Sequence, residues 1–274
     1  MHFCLSQSNE QLSLPTVPAV ILLHDRATGF PTALVQATHL TALRTAAGSA
    51  VATDCFARPD AAVLSVFGAG LQAEQHARAV LCVRNIRTVH IVNRTASRAM
   101  GLAARLRSDY PAVEFVVHAT AANSSSGPDS TDHAATATAA AAAALSAALR
   151  SSHVICTTTN SSTLLLRLAD VSPGAHINAV GGFRPHMHEL DSALVSACRI
   201  AVDCPAALHS GDLLTPTTRG LIRAEGIRQI GCFVDRRKYA HRLRDGQRGD
   251  IGFELRLDSE TPLEVLRTSP ESVT

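Results

Sequence analysis

The sequence predicts an α/β protein built on a doubly wound parallel sheet. An apolar run at 62–67 meets a tight glycine turn and continues into a segment with helical apolar spacing at 71–84. Strand and helix patterns keep alternating after it, at 88–92, 95–107 and 113–118. This alternation favours parallel strands with helices on both faces of one sheet.

Composition narrows the classes of protein to which this chain can belong. Its 274 residues suffice for two domains, and a hydrophobic fraction of 46% supports a sizeable core. A net charge of only +2 argues against a nucleic-acid partner. The apolar run Val17–Leu23 is too short to cross a membrane. Seven cysteines without C-x-x-C spacing fit free thiols in a reducing compartment, so we expect a soluble, cytoplasmic protein.

The segments around the alternating unit predict the rest of the architecture. Val17–His24 and Pro31–Gln36 indicate a β-hairpin, and a helix capped by Thr38 or Thr41 follows it through about Ala57. The remaining elements are expected in this order: an alanine-rich helix at 136–149 after a loop at 124–129, strands at 154–158, 176–180 and 199–203, of which the last closes the sheet, and a partly helical stretch at 205–230.

Domain boundaries follow from these elements. We assign residues 58–204 to the domain of alternating strands and helices, and residues 1–57 to an N-terminal segment outside it. Residues 205–274 form a C-terminal segment that is expected to end in a basic tail. Six arginine and lysine residues between 236 and 248 predict that tail, because such runs usually form a solvated surface.

The glycine turn predicts a dinucleotide site. Gly68 and Gly70 let the backbone turn sharply and approach a ligand closely, while Ala73 replaces the third glycine of the fingerprint. The first turn of the following helix offers N–H groups and the positive end of a dipole, which suit a pyrophosphate. Ligands of such sheets lie at the carboxyl ends of the strands. The cofactor-binding residues predicted on this basis are Gly68, Ala69, Gly70, Leu71, Gln72, Thr157, Thr158, Val180 and Gly181.

The end of the second strand of the unit predicts which dinucleotide binds. Asn93-Arg94-Thr95 stands where an NAD site normally has an acidic residue for the ribose 2′-hydroxyl. Arg94 can face a 2′-phosphate, and Arg98 lies about one helical turn further on. A phosphate needs charged, fork-shaped donors, so we expect NADPH in preference to NADH.

Four stretches make the sequence resemble the ornithine cyclodeaminase and mu-crystallin family. The resemblance covers roughly residues 15–230 and implies a Rossmann domain at 58–204. It further implies a smaller substrate and dimerisation domain built from both chain ends, residues 1–57 and 205–274. It also implies a homodimer. The stretches are LTALRTAA at 40–47, GAGLQA at 68–73, INAVGGFRP at 177–185 with ELD at 189–191, and SGDLL at 210–214.

The resemblance also implies roles for single residues. Arg44 matches the arginine that holds the substrate carboxylate, and Arg184 joins it as a substrate-binding candidate. Val180 matches a position beside the nicotinamide, and Thr45 is placed with the cofactor-binding residues. The triplet at 93–95 matches the NADPH-binding triplet of mu-crystallin-like members.

Departures from the family pattern separate three hypotheses. The leading one is NADPH-dependent reduction of cyclic imino acids such as pyrroline- or piperideine-2-carboxylate. The second is a non-catalytic NADPH-dependent binding protein, which the absence of a lysine before the hairpin favours. The third is ornithine deamination, which needs an aspartate where this chain has Phe183.

Three histidines lie within or beside the family stretches. His209 replaces a glutamate that often precedes the SGD motif in the family, and it is a weak candidate for a catalytic group because imidazole titrates near neutral pH. His186 and His188 lack helical ligand spacing and an evident third ligand, so we predict no metal site.

Overall fold

The computed structural model describes residues 17–120, 132–234 and 263–267. Two predictions, the loop at 124–129 and the basic cluster at 236–248, lie outside the described residues. The helices and strands are β1 (Val20–His24), β2 (Pro31–Gln36), α1 (Thr38–Phe56), β3 (Val63–Phe67), α2 (Leu71–Val83), β4 (Thr88–Asn93), α3 (Ala96–Asp109), β5 (Glu114–Ala119), α4 (Asp132–Ser151), β6 (Val154–Thr157), β7 (His176–Ala179), α5 (Ser192–Ser196), β8 (Cys198–Val202), α6 (Gly211–Thr218), β9 (Arg228–Gln229) and β10 (Leu263–Arg267).

A parallel sheet of eight strands forms the centre of the described chain, in the order β5-β4-β3-β6-β7-β10-β8-β9. All of its strand pairs are parallel. Strand order runs outward from β3 in both directions, so the predicted doubly wound sheet is confirmed. The carboxyl ends of β3, β6 and β7 therefore lie side by side at one edge of the sheet.

Both faces of this sheet are covered by apolar side chains. On one face, Leu64 and Ile91 of the strands pack with Ala77 and Leu102 of α2 and α3. On the other face lies a second cluster, which joins Ile155, Ile177 and residues of α4, α5 and α6, among them Leu149, Leu194 and Leu213. In the predicted apolar face of α2, Ala73, Ala77 and Val80 are buried and Leu81 is partly buried, whereas Leu71 at its start is 38% exposed.

The far edge of the sheet differs from the prediction. We expected the strand at 199–203 to close the sheet, but β8 pairs with β9 on one side and with β10 on the other. Strand β10 enters between β7 and β8, so residues 263–267 belong to the sheet rather than to a tail or the smaller domain. Their position depends on pairing with strands more than sixty residues away, which local sequence does not encode.

The hairpin β1–β2 stands apart from the large sheet and leads into α1. It pairs only with itself among the described strands. The expected threonine cap of α1 is wrong, because Ala37 is the N-cap residue and no side chain caps the helix. The hydroxyl of Thr38 instead accepts hydrogen bonds from Ala19 N and the Gln36 side chain, which ties the hairpin to the helix.

No helix within residues 17–120 and 132–234 is long and apolar enough to span a bilayer.

Buried polar groups fasten α1 to α2 and to β7. The Nε2 atom of His76 lies 3.0 Å from Ser49 Oγ, and its Nδ1 lies 2.8 Å from the carbonyl of Gln72. The side-chain amide of Asn178 in β7 donates to Thr53 Oγ1 in α1 at 2.9 Å, and the Asn178 Oδ1 atom lies 3.1 Å from Nε2 of His176. Burial lowers the pKa of both histidines to about 4.

These two histidines predict a loss of stability in mild acid. An unfolded histidine takes up its proton near pH 6.5, whereas His76 and His176 in the folded protein resist protonation down to about pH 4. The free energy of unfolding should therefore fall as pH drops through this window, by about 2 to 3 kcal/mol for each histidine at pH 4.5.

Urea unfolding at pH 7.5 and pH 4.5 measures this loss. His76→Gln should reduce the difference between the two pH values, whereas His39→Gln, at an exposed position, should leave it unchanged. An equal pH dependence in the unmutated protein and in His76→Gln would show that His76 is not the titrating group.

Candidate functional site

The turn between β3 and α2 has the geometry that the sequence predicts. Gly68 has a φ of +112°, and a Cβ at this residue would lie 3.1 Å from Thr158 Oγ1 and 3.2 Å from the Thr158 carbonyl oxygen. Its N–H donates to the carbonyl of Val92 at the end of β4. Glycine is therefore required at 68 for the conformation and for the close contact.

The first turn of α2 is open to a ligand. Gly70 is the N-cap residue, no side chain caps the helix, and a Cβ at Gly70 would meet nothing within 4 Å. Leu71 is partly exposed, and Gln72 has a buried Oε1 without a hydrogen-bond partner among the described residues. With Ala69 in the same turn, these residues leave backbone N–H groups facing free space, which fits a pyrophosphate.

The carboxyl ends of β3, β6 and β7 are linked by hydrogen bonds. Thr158 donates through its N–H and its hydroxyl to the carbonyl of Phe67, at 3.0 and 2.7 Å. The N–H groups of Val180 and Gly181 both donate to the carbonyl of Thr157. The Thr157 hydroxyl is buried and has no partner within the described part of the chain, so it remains available to a bound cofactor.

The end of β4 brings the predicted phosphate-binding residues next to the glycine turn. Arg94 and Arg98 are both exposed, the first in the loop and the second in the first turn of α3. The side-chain amide of Asn93 donates to the carbonyl of Thr95, which is the N-cap residue of α3 and makes no side-chain cap bond. Two arginines and an open helix N-terminus thus lie at this strand end.

Arg44 and Thr45 lie on α1, which packs closely against α2. The pair Ser49–His76 joins the two helices, and an ion pair of 3.0 Å joins Asp54 to Arg84 further along both. The helices therefore run in the same direction. Thr45 lies one turn before Ser49 on α1, and Gln72 lies one turn before His76 on α2. Thr45 is buried and the Nε atom of Arg44 is also buried. Arg44 is thus on the turn of α1 that lies alongside the open start of α2.

The turn after β7 carries the other substrate-binding candidate. The guanidinium carbon of Arg184 lies 5.4 Å from the centre of the Phe183 ring. The carbonyls of Gly182 and Arg184 both accept from Gly211 N, at 3.2 and 3.1 Å. A Cβ on Gly211 would lie 1.8 Å from the carbonyl oxygen of Met187, so only glycine lets α6 begin here. This contact fixes the backbone that presents Arg184.

A buried carboxylate that the sequence analysis did not assign holds the same region together. Glu189 is fully buried, and its oxygens accept from Gly181 N at 2.9 Å and from the N–H and hydroxyl of Thr159 at 3.1 and 2.6 Å. Asp212 Oδ1 accepts from the N–H groups of Glu189 and Leu190, at 2.8 and 3.1 Å. Both acids stand in the family stretches quoted above, so the signal was present but served only to recognise the family.

The remaining histidine candidates lie at the periphery of this region. His209 is exposed at the end of a short 3₁₀ turn directly before Ser210. His186 is also exposed and His188 is half-buried. The described residues contain no group of three or more histidine, cysteine, aspartate or glutamate side chains that could hold a metal ion.

Comparison with known proteins identifies relatives of this chain. Delta(1)-pyrroline-2-carboxylate reductase from Bacillus cereus is 33% identical over 237 residues, which are 84% of this chain and 64% of that protein. Ketimine reductase mu-crystallin from Mus musculus is 30% identical over 237 residues, 86% of this chain and 64% of that protein. The chain thus spans less than two thirds of the length of these relatives.

A solved structure agrees with the sequence relatives. Delta(1)-pyrroline-2-carboxylate reductase from Thermococcus litoralis, in complex with NADH and L-proline, superimposes with a TM-score of 0.72 at 25% identity. The match covers 96% of this chain and 70% of that one. The model of the ornithine cyclodeaminase/mu-crystallin family matches residues 3–149 and 135–238. The resemblance noted in the sequence is therefore confirmed: the chain belongs to the ornithine cyclodeaminase/mu-crystallin family.

Proposed function

We propose that this protein reduces the C=N bond of cyclic imino acids, such as pyrroline- or piperideine-2-carboxylate, with NADPH. The observation that supports this most is the edge formed by the carboxyl ends of β3, β6 and β7. Within the described residues, it has an uncapped helix start after β3 and an unpartnered Thr157 hydroxyl at the end of β6. The relatives from Bacillus and Thermococcus carry reductase names. Ornithine deamination is disfavoured because Phe183 cannot transfer a proton.

A nicotinamide cofactor fits the residues at this edge. The pyrophosphate would be held by the turn at 68–72, and Thr157, Thr158, Val180 and Gly181 would surround the nicotinamide half. When bound, the reduced cofactor supplies the hydride. The part of the protein is to orient the two reactants and to exclude water from between them.

Arg44 is proposed to hold the substrate. A carboxylate that enters a partly dry cleft is best held by a bidentate cation, and Arg44 lies beside the start of α2 with its Nε buried. The imine would enter with its nitrogen protonated, so addition of a hydride to the carbon gives the neutral amine and needs no further proton. Arg184, whose guanidinium lies over the Phe183 ring, is proposed as a second contact to the substrate.

An assay against a panel of cyclic imines tests the proposal. Oxidation of NADPH by pyrroline-2-carboxylate or piperideine-2-carboxylate, followed at 340 nm, is the expected result. A protein that binds NADPH tightly but oxidises it with no member of the panel would instead act as a non-catalytic binding protein.

The cofactor preference is proposed from the residues at the end of β4. Arg94 and Arg98 are exposed there, no acidic side chain stands within 93–98, and the helix start at Thr95 is open. The Thermococcus structure contains NADH, so that protein binds the cofactor without the 2′-phosphate. The arginines are the reason to expect NADPH in this chain.

NADPH should bind more tightly than NADH, and Arg94→Ala should remove much of the difference. Loss of one charge-assisted contact to the 2′-phosphate is expected to cost roughly 1.5–3 kcal/mol in NADPH binding and little in NADH binding. Fluorescence titration gives both dissociation constants. Arg87→Ala, which removes an exposed arginine at the opposite end of β4, is the matched control. Equal affinities for the two cofactors in the unmutated protein would contradict the proposal.

Turnover should depend on the fork of Arg44 as well as on its charge. Arg44→Lys keeps the charge but loses the bidentate geometry, so it should raise KM for the imine with a smaller effect on NADPH affinity. Arg44→Ala should lower kcat/KM by roughly 100-fold if the clamp also sets the hydride geometry. Arg223→Ala, at an exposed position, serves as the control. Unchanged kcat/KM in Arg44→Ala would place the substrate elsewhere.

A homodimer is proposed because the hairpin is apolar on both faces. Leu22 pairs with Leu34 on one face, and Ile21 pairs with Val35 on the other. Leu34 is 72% exposed and Phe30, at the hairpin turn, is 73% exposed. A two-stranded hairpin is marginal in water, so a second copy that covers one face would stabilise it.

Light scattering at micromolar concentration should give the mass of a dimer. Leu34→Glu should shift the protein towards the monomer, because it places a charge in the proposed interface. Leu221→Glu, at another exposed leucine, should not. A monomeric unmutated protein would refute this part of the proposal.

We also propose a reducing, cytoplasmic location, which the six free cysteines of the described residues support.

A further inference from the structure

We propose that Glu189 is a positioning residue for hydride transfer, which sets the geometry of the nicotinamide pocket by tying the turn after β6 to the turn after β7. The inference rests on the proposed function, because it concerns the pocket where the imine and the nicotinamide would meet. It adds a residue whose side chain acts on that pocket through Thr159 and Gly181 rather than by contact with the substrate.

The carboxylate of Glu189 bridges the turns that follow β6 and β7. Oε1 accepts both hydrogen bonds from Thr159, two residues after the end of β6. Oε2 accepts from the N–H of Gly181, two residues after the end of β7, which also reaches the carbonyl of Thr157. A shift of the carboxylate would therefore move both walls of the predicted pocket.

The contact is too tight to be incidental. A Cβ on Gly181 would lie 1.9 Å from the carbonyl oxygen of Thr159 and 2.3 Å from Glu189 Oε1. The backbone of Gly181 is thus pressed against both groups, and no side chain other than hydrogen fits. A buried carboxylate is costly unless its oxygens accept hydrogen bonds. Here the two oxygens of Glu189 accept from three donors, the N–H and hydroxyl of Thr159 and the N–H of Gly181.

The backbone of Glu189 is held on both sides, so the carboxylate has little freedom to move. Its N–H donates to Asp212, which lies in the first turn of α6. Its carbonyl accepts from the N–H groups of Leu165 and Leu166, at 2.8 and 3.0 Å. Glu189 therefore transmits the position of α6 to the ends of β6 and β7. Because its carboxylate is occupied by Thr159 and Gly181, its role is to hold these turns and not to transfer a proton.

The first variant is Glu189→Gln, which keeps the size of the side chain. Its amide nitrogen would face an N–H donor on one side, so one of the two turns loses its anchor. We expect kcat to fall at least tenfold, with KM for the imine changed less than threefold. The deuterium isotope effect on kcat, measured with NADPH labelled at the transferred position, should increase. Glu225→Gln, an exposed glutamate, is the control.

A second pair of variants keeps the test decisive if Glu189→Gln does not fold. Thr159→Val removes the hydroxyl bond to Oε1 at a half-buried position, and Thr159→Ser retains it. Thr159→Val should lower kcat and raise the isotope effect in the same direction as Glu189→Gln, and Thr159→Ser should retain clearly more of kcat than Thr159→Val.

A binding measurement separates this inference from the proposed function. The emission of bound NADPH reports how firmly the nicotinamide is held, and 2′-phospho-ADP-ribose reports the other half of the site. Glu189→Gln and Thr159→Val should weaken the enhancement of nicotinamide emission and leave the affinity for 2′-phospho-ADP-ribose within threefold. This readout decides the role of Glu189 even if the unmutated protein reduces none of the imines, a result that would overturn only the proposed function.

Two results would overturn the inference. One is a folded Glu189→Gln or Thr159→Val protein with the emission, kcat and isotope effect of the unmutated protein. The other is an equal loss of affinity for NADPH and for 2′-phospho-ADP-ribose, which would mean that Glu189 supports the whole fold and not the nicotinamide pocket.

Discussion

The candidate site depends on one close backbone contact. Gly181, at the end of β7, lies so near the carbonyl of Thr159 and the carboxylate of Glu189 that any side chain would collide with them. The same requirement recurs at Gly211, against the carbonyl of Met187. Because protein interiors are close-packed, such contacts leave few alternative arrangements. They fix the turn that carries Phe183 and Arg184 at the carboxyl edge of the sheet, where ligands of this fold class bind.

This constraint connects elements that are distant in the chain. Asp212 at the start of α6 holds Glu189, and Glu189 holds the turns after β6 and β7. Those turns are joined through Thr158 to Phe67, directly before the glycine turn. On the other side of that turn, the pair His76–Ser49 holds α1, which carries Arg44. The proposed substrate and cofactor groups therefore share one rigid framework, as positioning of two reactants requires.

Local patterns predicted most of the fold, and long-range contacts account for what they missed. The unit from β3 to β5 was predicted to within about two residues, because its strands and helices show clear periodicity. The place of β10 between β7 and β8 depends on remote pairing, and the absence of a threonine cap on α1 reflects the use of Thr38 by the hairpin. In the site, the glycine turn and Arg94 were visible as motifs. Glu189 was not assigned a role, because its partners Thr159 and Gly181 come together only in the folded chain.

The most direct test of this account is a crystal structure with NADPH and pyrrole-2-carboxylate, a planar analogue that cannot accept a hydride at the same carbon. The account predicts the nicotinamide ring against Val180 and Gly181, and the carboxylate of the analogue within hydrogen-bond distance of the Arg44 guanidinium. A nicotinamide outside the edge formed by β3, β6 and β7, or an analogue carboxylate held without Arg44, would contradict it.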